Sequence, residues 1–358
     1  MAKIHMRRRL TAVLFVLMLA VTAIIAVPMA GESSADSKYS VSDDRTTPNT
    51  LYFDEPFKYV VTLGLAFTST VVNLGEESKL ILVDTNSKSA LSEGSTIPTI
   101  STSNYDDVGA KITTLVTEKE ITKDDVLIIM YSYSSTGIGK LEAQGYSKIM
   151  GFYPKSYDNV VTYVDKMETL IGADHSKSKE MADQASNIVS KMADYSGDKV
   201  KGIYISYSSS KPQIANKNSI AVSMMEKCSA INAGYDADKS ASYEPSGGMG
   251  PFLVSKINDE GLKVIFLDGN YAGSVADFIE EYNLGDKDVK VYKLEKTWNS
   301  YTPEIVDGLN YMSKCLYPSV FGSPDGDDGQ PFNYTTIIIV VIAAVIVIGA
   351  VFIVLRRR

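Results

Sequence analysis

Short apolar runs alternate with helical stretches through most of the chain. Apolar runs typical of buried strands predict strands at residues 58–63, 79–83, 126–130, 148–151, 200–206, 263–267 and 289–294. Apolar residues at helical spacing predict helices at residues 66–74, 157–195 with a break near Gly172, 219–233, 274–282 and 302–316. This alternation of strand and helix indicates an α/β fold whose sheets are mainly parallel.

The longest predicted helical stretch divides this pattern into two halves. Its second part, residues 174–194, carries apolar side chains at helical spacing and has a length of roughly 30 Å at 1.5 Å per residue. We therefore expect two Rossmann-like lobes joined by one long helix. The lobes are predicted at residues 57–156 and 198–321, and the connecting helices at residues 157–197.

Basic residues precede a long apolar segment near the N-terminus. Lys3 and the arginines at 7–9 are followed by the apolar residues 10–30 and then by small residues. This order is typical of a secretory signal peptide, but the length of the apolar segment leaves an uncleaved signal anchor open for residues 1–30. Residues 31–56 are rich in Ser, Asp, Thr and Pro, and they predict a flexible leader.

A second apolar segment predicts a transmembrane helix at residues 335–355. It carries no charge, and about 20 apolar residues are enough to cross the hydrocarbon core as a helix. The arginines at 356–358 predict a basic cytoplasmic tail, because clustered arginine favours that side of the membrane. Residues 322–334 predict a flexible acidic linker. We expect a protein of the cell membrane, held in the lipid bilayer by this single C-terminal span, with its bulk outside the cytoplasm.

Charge and composition exclude several classes of function. The net charge is −8 and the basic residues are dispersed, which argues against nucleic-acid binding. Only His5 and His175 occur, so a metal site of several imidazoles is excluded, and no catalytic motif is present. We therefore expect no enzyme activity, no resident metal and no cofactor. Cys228 and Cys315 are either buried free thiols or a disulfide, and the sequence leaves both open.

Aromatic and polar residues follow several of the predicted strands. Ligands of α/β lobes bind at the carboxyl ends of parallel strands, and tyrosine, of which the chain has 22, commonly lines small-molecule pockets. The best single candidate is the loop at residues 131–137, which offers two aromatic rings and several hydroxyl groups. The candidate ligand-binding residues are Phe67, Thr68, Asn86, Tyr131, Tyr133, Ser134, Tyr153, Tyr207, Ser208, Asn270, Tyr271, Trp298 and Tyr301.

Four stretches between residues 57 and 321 share their order and spacing with one known family. They are YVVTLGLAFTSTVVNLG at 59–75, EKEITKDDVLII at 118–129, the helix around 172–192, and residues 291–321 with the closing LYPSVF. In these stretches the chain resembles the extracytoplasmic substrate-binding proteins of iron-siderophore, haem and cobalamin ABC importers. The resemblance implies two α/β lobes with a ligand cleft between them.

The resemblance also implies a role and partners. It implies capture of a ferric siderophore, haem or cobalamin by a monomeric binding protein, and delivery to an ABC permease with its ATPase. Glu118 or Glu120 matches the acid that the family's first lobe presents to the permease. The matching residues 246–252 of the second lobe have no acid, and Glu244 is the nearest one. A surface receptor or sensor without a permease is therefore the alternative. A membrane-tethered protein of this kind suits a cell with one membrane, such as an archaeon.

Overall fold

The computed structural model describes residues 37–207 and 211–324. No helix within these residues is long and apolar enough to span a membrane. The predicted signal segment at 1–30, the transmembrane helix at 335–355, the basic tail and most of the acidic linker lie outside the described residues.

A β-hairpin occupies part of the predicted flexible leader. It consists of β1 (Tyr39–Ser42) and β2 (Thr50–Phe53), which pair antiparallel. Val41 and Leu51 pair across the hairpin, and both side chains are buried in the core. The buried carboxylate of Asp43 accepts a hydrogen bond of 3.0 Å from the backbone N–H of Gly151. The prediction of a flexible leader is therefore wrong for residues 39–53, because alternating apolar side chains give this polar segment one buried face.

The first lobe is built on a five-stranded parallel sheet with the strand order β5-β4-β3-β6-β7. Its strands are β3 (Tyr59–Leu63), β4 (Leu80–Asp84), β5 (Thr99–Ile100), β6 (Val126–Tyr131) and β7 (Ile149–Phe152), and its helices are α1 (Leu65–Asn73), α2 (Tyr105–Glu118) and α3 (Ser135–Ala143). Along β6, Leu127 packs into one apolar cluster and Ile128 into another. Both faces of the sheet are thus buried, which explains the continuous apolar runs.

Two helices that pack against each other connect the lobes, α4 (Tyr157–Ile171) and α5 (Ser176–Ala193). The first ends at Gly172, whose φ of 75° belongs to the left-handed region that glycine adopts without strain. The second has 18 residues and is therefore about 27 Å long. The structure thus has a helix on either side of the break predicted near Gly172.

The second lobe is built on a six-stranded mixed sheet. Its strands are β8 (Lys201–Ser206), β9 (Gln213–Ala215), β10 (Ile231–Asn232), β11 (Ser242–Tyr243), β12 (Val264–Leu267) and β13 (Lys290–Lys293). The order is β11-β9-β8-β12-β13, with β10 paired to β8. Among these strands, β9 runs antiparallel to both of its neighbours, β8 and β11, and the other pairs are parallel. The helices are α6 (Ile220–Lys227), α7 (Met249–Glu260), α8 (Val275–Glu281), α9 (Ile305–Leu316) and α10 (Pro318–Phe321).

Short 3-10 helices complete the two lobes. They lie at Glu77–Lys79, Thr85–Ala90, Lys123–Asp125 and Lys296–Asn299. The last of these leads directly into the loop that carries Ser300 and Tyr301 of the second lobe.

The helix predicted at residues 219–233 is shorter than its apolar spacing suggests. It ends at Lys227, and Ser229 adopts the left-handed conformation with a φ of 61°. Ile231 then pairs with β8 as part of a strand and remains 43% exposed, so it does not belong to the helix face. Cys228 and Cys315 are both buried and are not joined by a disulfide, so the structure does not support the disulfide alternative left open by the sequence.

One apolar cluster runs through both lobes and the connecting helices. It contains Val60 of the first lobe, Met167 and Met181 of the connector, and Met224 and Leu309 of the second lobe, all nearly or fully buried. Polar contacts add to it, since the backbone N–H of Tyr157 donates to Ser223 Oγ at 2.7 Å. The lobes are therefore joined by a shared core rather than by a flexible hinge.

The side chain of Glu168 ties α4 to the beginning of α5. Its Oε1 accepts hydrogen bonds from the backbone N–H groups of Lys177 at 2.9 Å and Ser178 at 3.3 Å. The first N–H groups of a helix have no partner within the helix, so this fully buried carboxylate supplies the missing acceptor.

Replacing Glu168 is expected to destabilise the protein. Glu168→Ala leaves buried N–H groups without an acceptor, and we expect a loss of about 1–3 kcal/mol in the free energy of unfolding, measured by urea denaturation. Glu168→Gln keeps an acceptor and is expected to lose less. Glu180→Ala, which removes an exposed carboxylate on the same helix, is the control. Equal denaturation midpoints for Glu168→Ala and Glu180→Ala would contradict the capping role.

Candidate functional site

Four tyrosines meet where the two lobes face each other. Tyr131, Tyr133 and Tyr153 come from the first lobe and Tyr301 from the second, and we call them the tyrosine cluster. Tyr133 is 61% exposed and Tyr153 is 39% exposed. Large aromatic rings that stay exposed at the meeting point of two lobes are typical of a binding surface.

The fold explains why three of these rings lie together. Tyr131 ends β6 and Tyr153 follows β7, and the two parallel strands are neighbours in the sheet. The carboxyl ends of neighbouring parallel strands lie at the same edge, so their following side chains meet there. Gly64 makes room below them, because a Cβ at this position would lie 2.9 Å from both the Phe67 and the Tyr131 rings.

The rings of the cluster contact one another in a closed circuit. Tyr131 stacks on Tyr133 with 5.0 Å between the ring centres, and Tyr133 meets Tyr153 edge-to-face at 5.0 Å. Tyr301 completes the circuit, because its ring centre lies 6.2 Å from that of Tyr131 and 6.2 Å from that of Tyr153. These are the offset and edge-to-face arrangements that aromatic pairs prefer. The second lobe therefore contacts the first through Tyr301.

Two chambers flank the tyrosine cluster between the lobes. The large chamber has a volume of about 430 Å³ and is lined by residues that include Leu65, Ser69, Tyr131, Lys296, Thr297 and Tyr301. The small chamber has a volume of about 200 Å³ and is lined by residues that include Tyr204, Ser206, Asn218, Ser219, Asn299 and Tyr301. Both chambers combine side chains of the two lobes, as expected for a ligand cleft.

A third pocket, of about 550 Å³, lies on the first lobe beside Tyr133 and Tyr153. The hairpin loop contributes Asp44, whose carboxylate accepts from the backbone N–H of Tyr153 at 3.1 Å and from Lys166 Nζ at 3.2 Å. We call it the outer pocket. The hairpin, which the sequence did not predict, therefore holds the backbone of a cluster residue in place.

Burial controls the protonation of the cluster. Burial, with the neighbouring Tyr133 and Asp84 adding to it, raises the pKa of Tyr131 to about 12. Burial also raises the pKa of Tyr133 and of Tyr301, and neighbouring tyrosine hydroxyls contribute to both shifts. At neutral pH these three phenols are protonated, so they donate hydrogen bonds to oxygen or nitrogen acceptors of a ligand.

Lysine is the source of positive charge in the two chambers. Lys296 lines the large chamber, and Lys155 lines the small chamber and the outer pocket. Arg45 is the one arginine between residues 37 and 324, and its guanidinium is engaged by Asp43 at 2.6 Å and Glu142 at 3.0 Å. The cleft therefore offers mobile ammonium groups rather than the fixed, bidentate fork of a guanidinium.

The one histidine of the described residues lies outside the cleft. His175 precedes α5, and its ligand atoms and those of Asp165 and Glu168 lie within 4.8 Å of one another. Glu168 already caps α5, and His175 Nδ1 bonds Asp165 Oδ1 at 2.9 Å. This group is accounted for as a helix-junction contact.

The remaining predicted residues of the first lobe do not line the two chambers. Phe67 and Thr68 are fully buried, Phe67 beneath the Tyr131 ring and Thr68 in a 2.7 Å hydrogen bond with the Thr62 hydroxyl. Asn86 and Ser134 belong to the starts of local helices, where the backbone N–H of Asn86 donates to Asp84. These four candidates serve the local structure around the cleft.

The predicted residues of the second lobe divide in a similar way. The rings of Tyr207 and Tyr271 pair 4.7 Å apart within the other apolar cluster of that lobe, and Asn270 donates to Asp268. Tyr204 and Ser206 line the small chamber instead, because successive side chains of β8 point to opposite faces. Ser208 lies outside the described residues.

Trp298 does not lie in the cleft. Its ring packs 5.1 Å from that of Tyr311, and its side chain fills the space above Gly308 of α9. The expected stacking of Trp298 on a ligand is therefore not supported. The structure instead brings its neighbours Lys296, Thr297 and Asn299 to the large chamber, and their polar side chains carried no distinguishing sequence signal.

The candidate docking glutamates all lie on the surface. Glu118 ends α2, Glu120 follows it with a φ of 54°, and Glu244 pairs with Lys211 at 3.4 Å. Their exposure leaves each carboxylate accessible to solvent, and their role stays a prediction.

Comparison with solved structures defines the class of fold. No family model matches the sequence, and no curated protein matches it either. The chain is similar to Helicobacter pylori CeuE in a Ni-His complex, with a TM-score of 0.59, 16% identity and coverage of 81% of this chain and 93% of that chain. It is also similar to the periplasmic heme-binding protein RhuT of Roseiflexus, with a TM-score of 0.55, 14% identity and coverage of 74% and 99%.

A third similar structure is named for a different ligand. It is the periplasmic vitamin B12 binding protein BtuF of Vibrio cholerae, with a TM-score of 0.52, 16% identity and coverage of 73% of this chain and 97% of that chain. The chain therefore has the fold of periplasmic solute-binding proteins, and the resemblance seen in its sequence is confirmed at the level of the fold.

The pKa of Tyr131 predicts a pH dependence of stability. A phenol whose pKa is raised in the folded state contributes stability below the unfolded value of about 10, and this contribution is lost as the pH rises through the folded value of about 12. We expect Tyr131→Phe to flatten the fall in urea midpoint between pH 10 and 12. The control Tyr235→Phe removes a hydroxyl from a ring that is 58% exposed. An unchanged slope in Tyr131→Phe would contradict the assignment.

Proposed function

We propose that this protein is a membrane-tethered, extracytoplasmic solute-binding protein of an ABC importer. The proposed ligand is an iron(III)-siderophore or a related metal chelate or tetrapyrrole, such as haem or cobalamin. The tyrosine cluster carries this proposal, because it brings aromatic faces and protonated phenols from both lobes to one cleft. Capture in such a cleft needs no covalent chemistry, so we propose no enzymatic activity.

The chemistry of the cleft suits the periphery of a chelate. Rings such as Tyr133 offer flat apolar surface, and the phenols donate to carbonyl, carboxylate or phenolate oxygens that surround a bound metal. Lys155 and Lys296 compensate negative charge on such a ligand. The raised pKa of Tyr131 favours the protonated phenol over the phenolate that would ligate iron.

Delivery to a permease is the second part of the proposal. The exposed Glu118 and Glu120 of the first lobe are the proposed contacts, together with Glu244 of the second lobe. Glu244 is paired with Lys211, so it presents less free negative charge than the first-lobe residues. Residues 246–252 of the second lobe contain no acid, and the nearest one, Glu244, is engaged by Lys211. This observation favours the alternative, a surface receptor or sensor that binds the same ligands without a permease.

Ligand binding tests the proposal directly. We expect the full-length chain to bind at least one of ferric tris(acetohydroxamate), haemin and cyanocobalamin in isothermal titration calorimetry. Tyr133→Ala removes a ring that is 61% exposed, and we expect it to weaken this binding about tenfold, or ~1.4 kcal/mol, because a contact ring is lost. Calorimetry is preferable to tryptophan fluorescence, since Trp298 packs away from the chambers.

A matched variant separates this effect from general surface changes. Tyr235 is 58% exposed and does not line either chamber, so Tyr235→Ala is expected to leave the affinity unchanged. The absence of binding to all three compounds would contradict the proposed function. An equal loss of affinity in Tyr133→Ala and Tyr235→Ala would contradict the assignment of the site.

Anchoring by residues 335–355 is part of the proposal and has its own test. Val345 lies near the middle of this apolar segment, where an arginine costs about 2.5–3.5 kcal/mol on insertion scales. We expect the full-length chain and Val345→Leu to stay with membranes in alkaline carbonate extraction, and Val345→Arg to be released in part. Complete retention of Val345→Arg would instead indicate that the N-terminal apolar segment anchors the protein.

A further inference from the structure

Tyr301 stands between the two chambers. Both chambers are lined by Tyr153, Asn299 and Tyr301, and the rings of the two tyrosines meet edge-to-face with their centres 6.2 Å apart. We call these three shared residues, Tyr153, Asn299 and Tyr301, the wall between the chambers. The contact between the Tyr153 and Tyr301 rings is part of this wall. A ligand that extends from one chamber into the other has to separate these two rings.

The third wall residue is fixed. Asn299 Nδ2 donates to the Tyr204 hydroxyl at 2.8 Å, and Asn299 Oδ1 accepts from the backbone N–H of Ala221 at 3.1 Å. Both ends of this amide are therefore engaged within the second lobe. Displacing it would break two hydrogen bonds of a half-buried group, so it does not move readily.

Tyr301 is held differently, by its backbone rather than by its side chain. Its carbonyl oxygen accepts from Thr70 Oγ1 of the first lobe at 2.8 Å, which fixes the position of the loop. No hydrogen bond within the described residues reaches its hydroxyl, and its ring contacts Tyr131 and Tyr153 through edges only. A substitution of Tyr301 therefore changes the ring in the wall, while the hydrogen bond to its carbonyl oxygen keeps the backbone in place.

The wall between the chambers limits the size of the ligand that the cleft can hold. The small chamber, at about 200 Å³, is below the ~300–1,000 Å³ typical of small-molecule sites, whereas the large chamber, at about 430 Å³, lies within that range. With the wall in place, the large chamber is the one of these two chambers that accommodates a ligand of ordinary size. With the wall removed, the two chambers form one longer cleft.

We propose that Tyr301 is a specificity-determining residue, whose ring confines the ligand to the large chamber and so selects a compact chelate over a macrocycle. This inference rests on the proposed function, because it concerns the choice of ligand in the same cleft. Shortening the side chain joins the chambers and extends the range of ligands to larger ones. The chemical class selected by the wild-type chain is a small chelate with oxygen acceptors on its surface.

Calorimetric titration of the full-length wild-type chain, Tyr301→Ala, Tyr301→Phe and Tyr235→Ala tests this. The compact probe is ferric tris(acetohydroxamate), and the large probes are haemin and cyanocobalamin. We expect the wild-type chain to bind the compact probe more tightly than either large one. Tyr301→Ala should shift the ratio of compact to large affinity at least tenfold toward a large probe, whereas Tyr301→Phe and Tyr235→Ala should keep the wild-type ratio.

The outcomes separate this inference from the proposed function. If the wild-type chain binds a large probe as tightly as the compact one, or if Tyr301→Ala keeps the wild-type ratio within twofold, Tyr301 does not select by size although the cleft binds ligands. If no protein binds any probe, the proposed function itself fails, and this inference with it. Tyr301→Leu, which retains more apolar packing, replaces Tyr301→Ala should the alanine variant not fold, and the same tenfold shift is expected of it.

Discussion

The shared apolar cluster is the constraint on which the rest of this molecule depends. It passes from Val60 in the first lobe through Met167 and Met181 of the connector to Leu309 in the second lobe as one continuous cluster of buried side chains. Packed cores resist continuous deformation, so the angle between the lobes is set by close packing. The position of Tyr301 opposite Tyr153 follows from this angle. A flexible connection would leave the same tyrosines without a defined partner and the chambers without a defined volume.

Strand parity then decides which side chains reach the cleft. Along β8, Tyr204 and Ser206 line the small chamber, whereas Ile203 and Ile205 belong to the apolar cluster on the other face of the sheet. A shift of one residue in this strand would exchange these roles, because side chains of a strand alternate between its faces. The alternation of side chains along the strand therefore places polar groups in the cleft and apolar groups in the core. Both the core and the cleft depend on the same strand register.

The longer strands of the two lobes were predictable from the sequence, whereas the site was predictable only in part. Strands buried on both faces leave continuous apolar runs such as that of β6, and the structure places the seven predicted strands within a residue or two of the prediction. The strands β5, β9, β10 and β11 were not predicted, because runs of two or three residues are too short to show a pattern. The hairpin at residues 39–53 was not predicted, because its buried face is formed by single apolar residues in a polar segment. Tyr131, Tyr133, Tyr153 and Tyr301 were predicted to lie near strand ends, and the structure brings their rings into contact with one another. Trp298 was misplaced because a loop residue gives no indication of the direction of its side chain.

The separation of core and cleft explains how one fold serves different ligands. Similar structures with identities of 14–16% include proteins named for heme and for vitamin B12, so their shared packing does not encode one ligand. In the present chain the side chains beyond the strand ends, above all the ring of Tyr301, line the cleft. The carbonyl of Tyr301 is bound by Thr70, which maintains the contact between the lobes whatever side chain the position carries. Selectivity can therefore change at this ring while the core that sets the distance between the lobes stays the same.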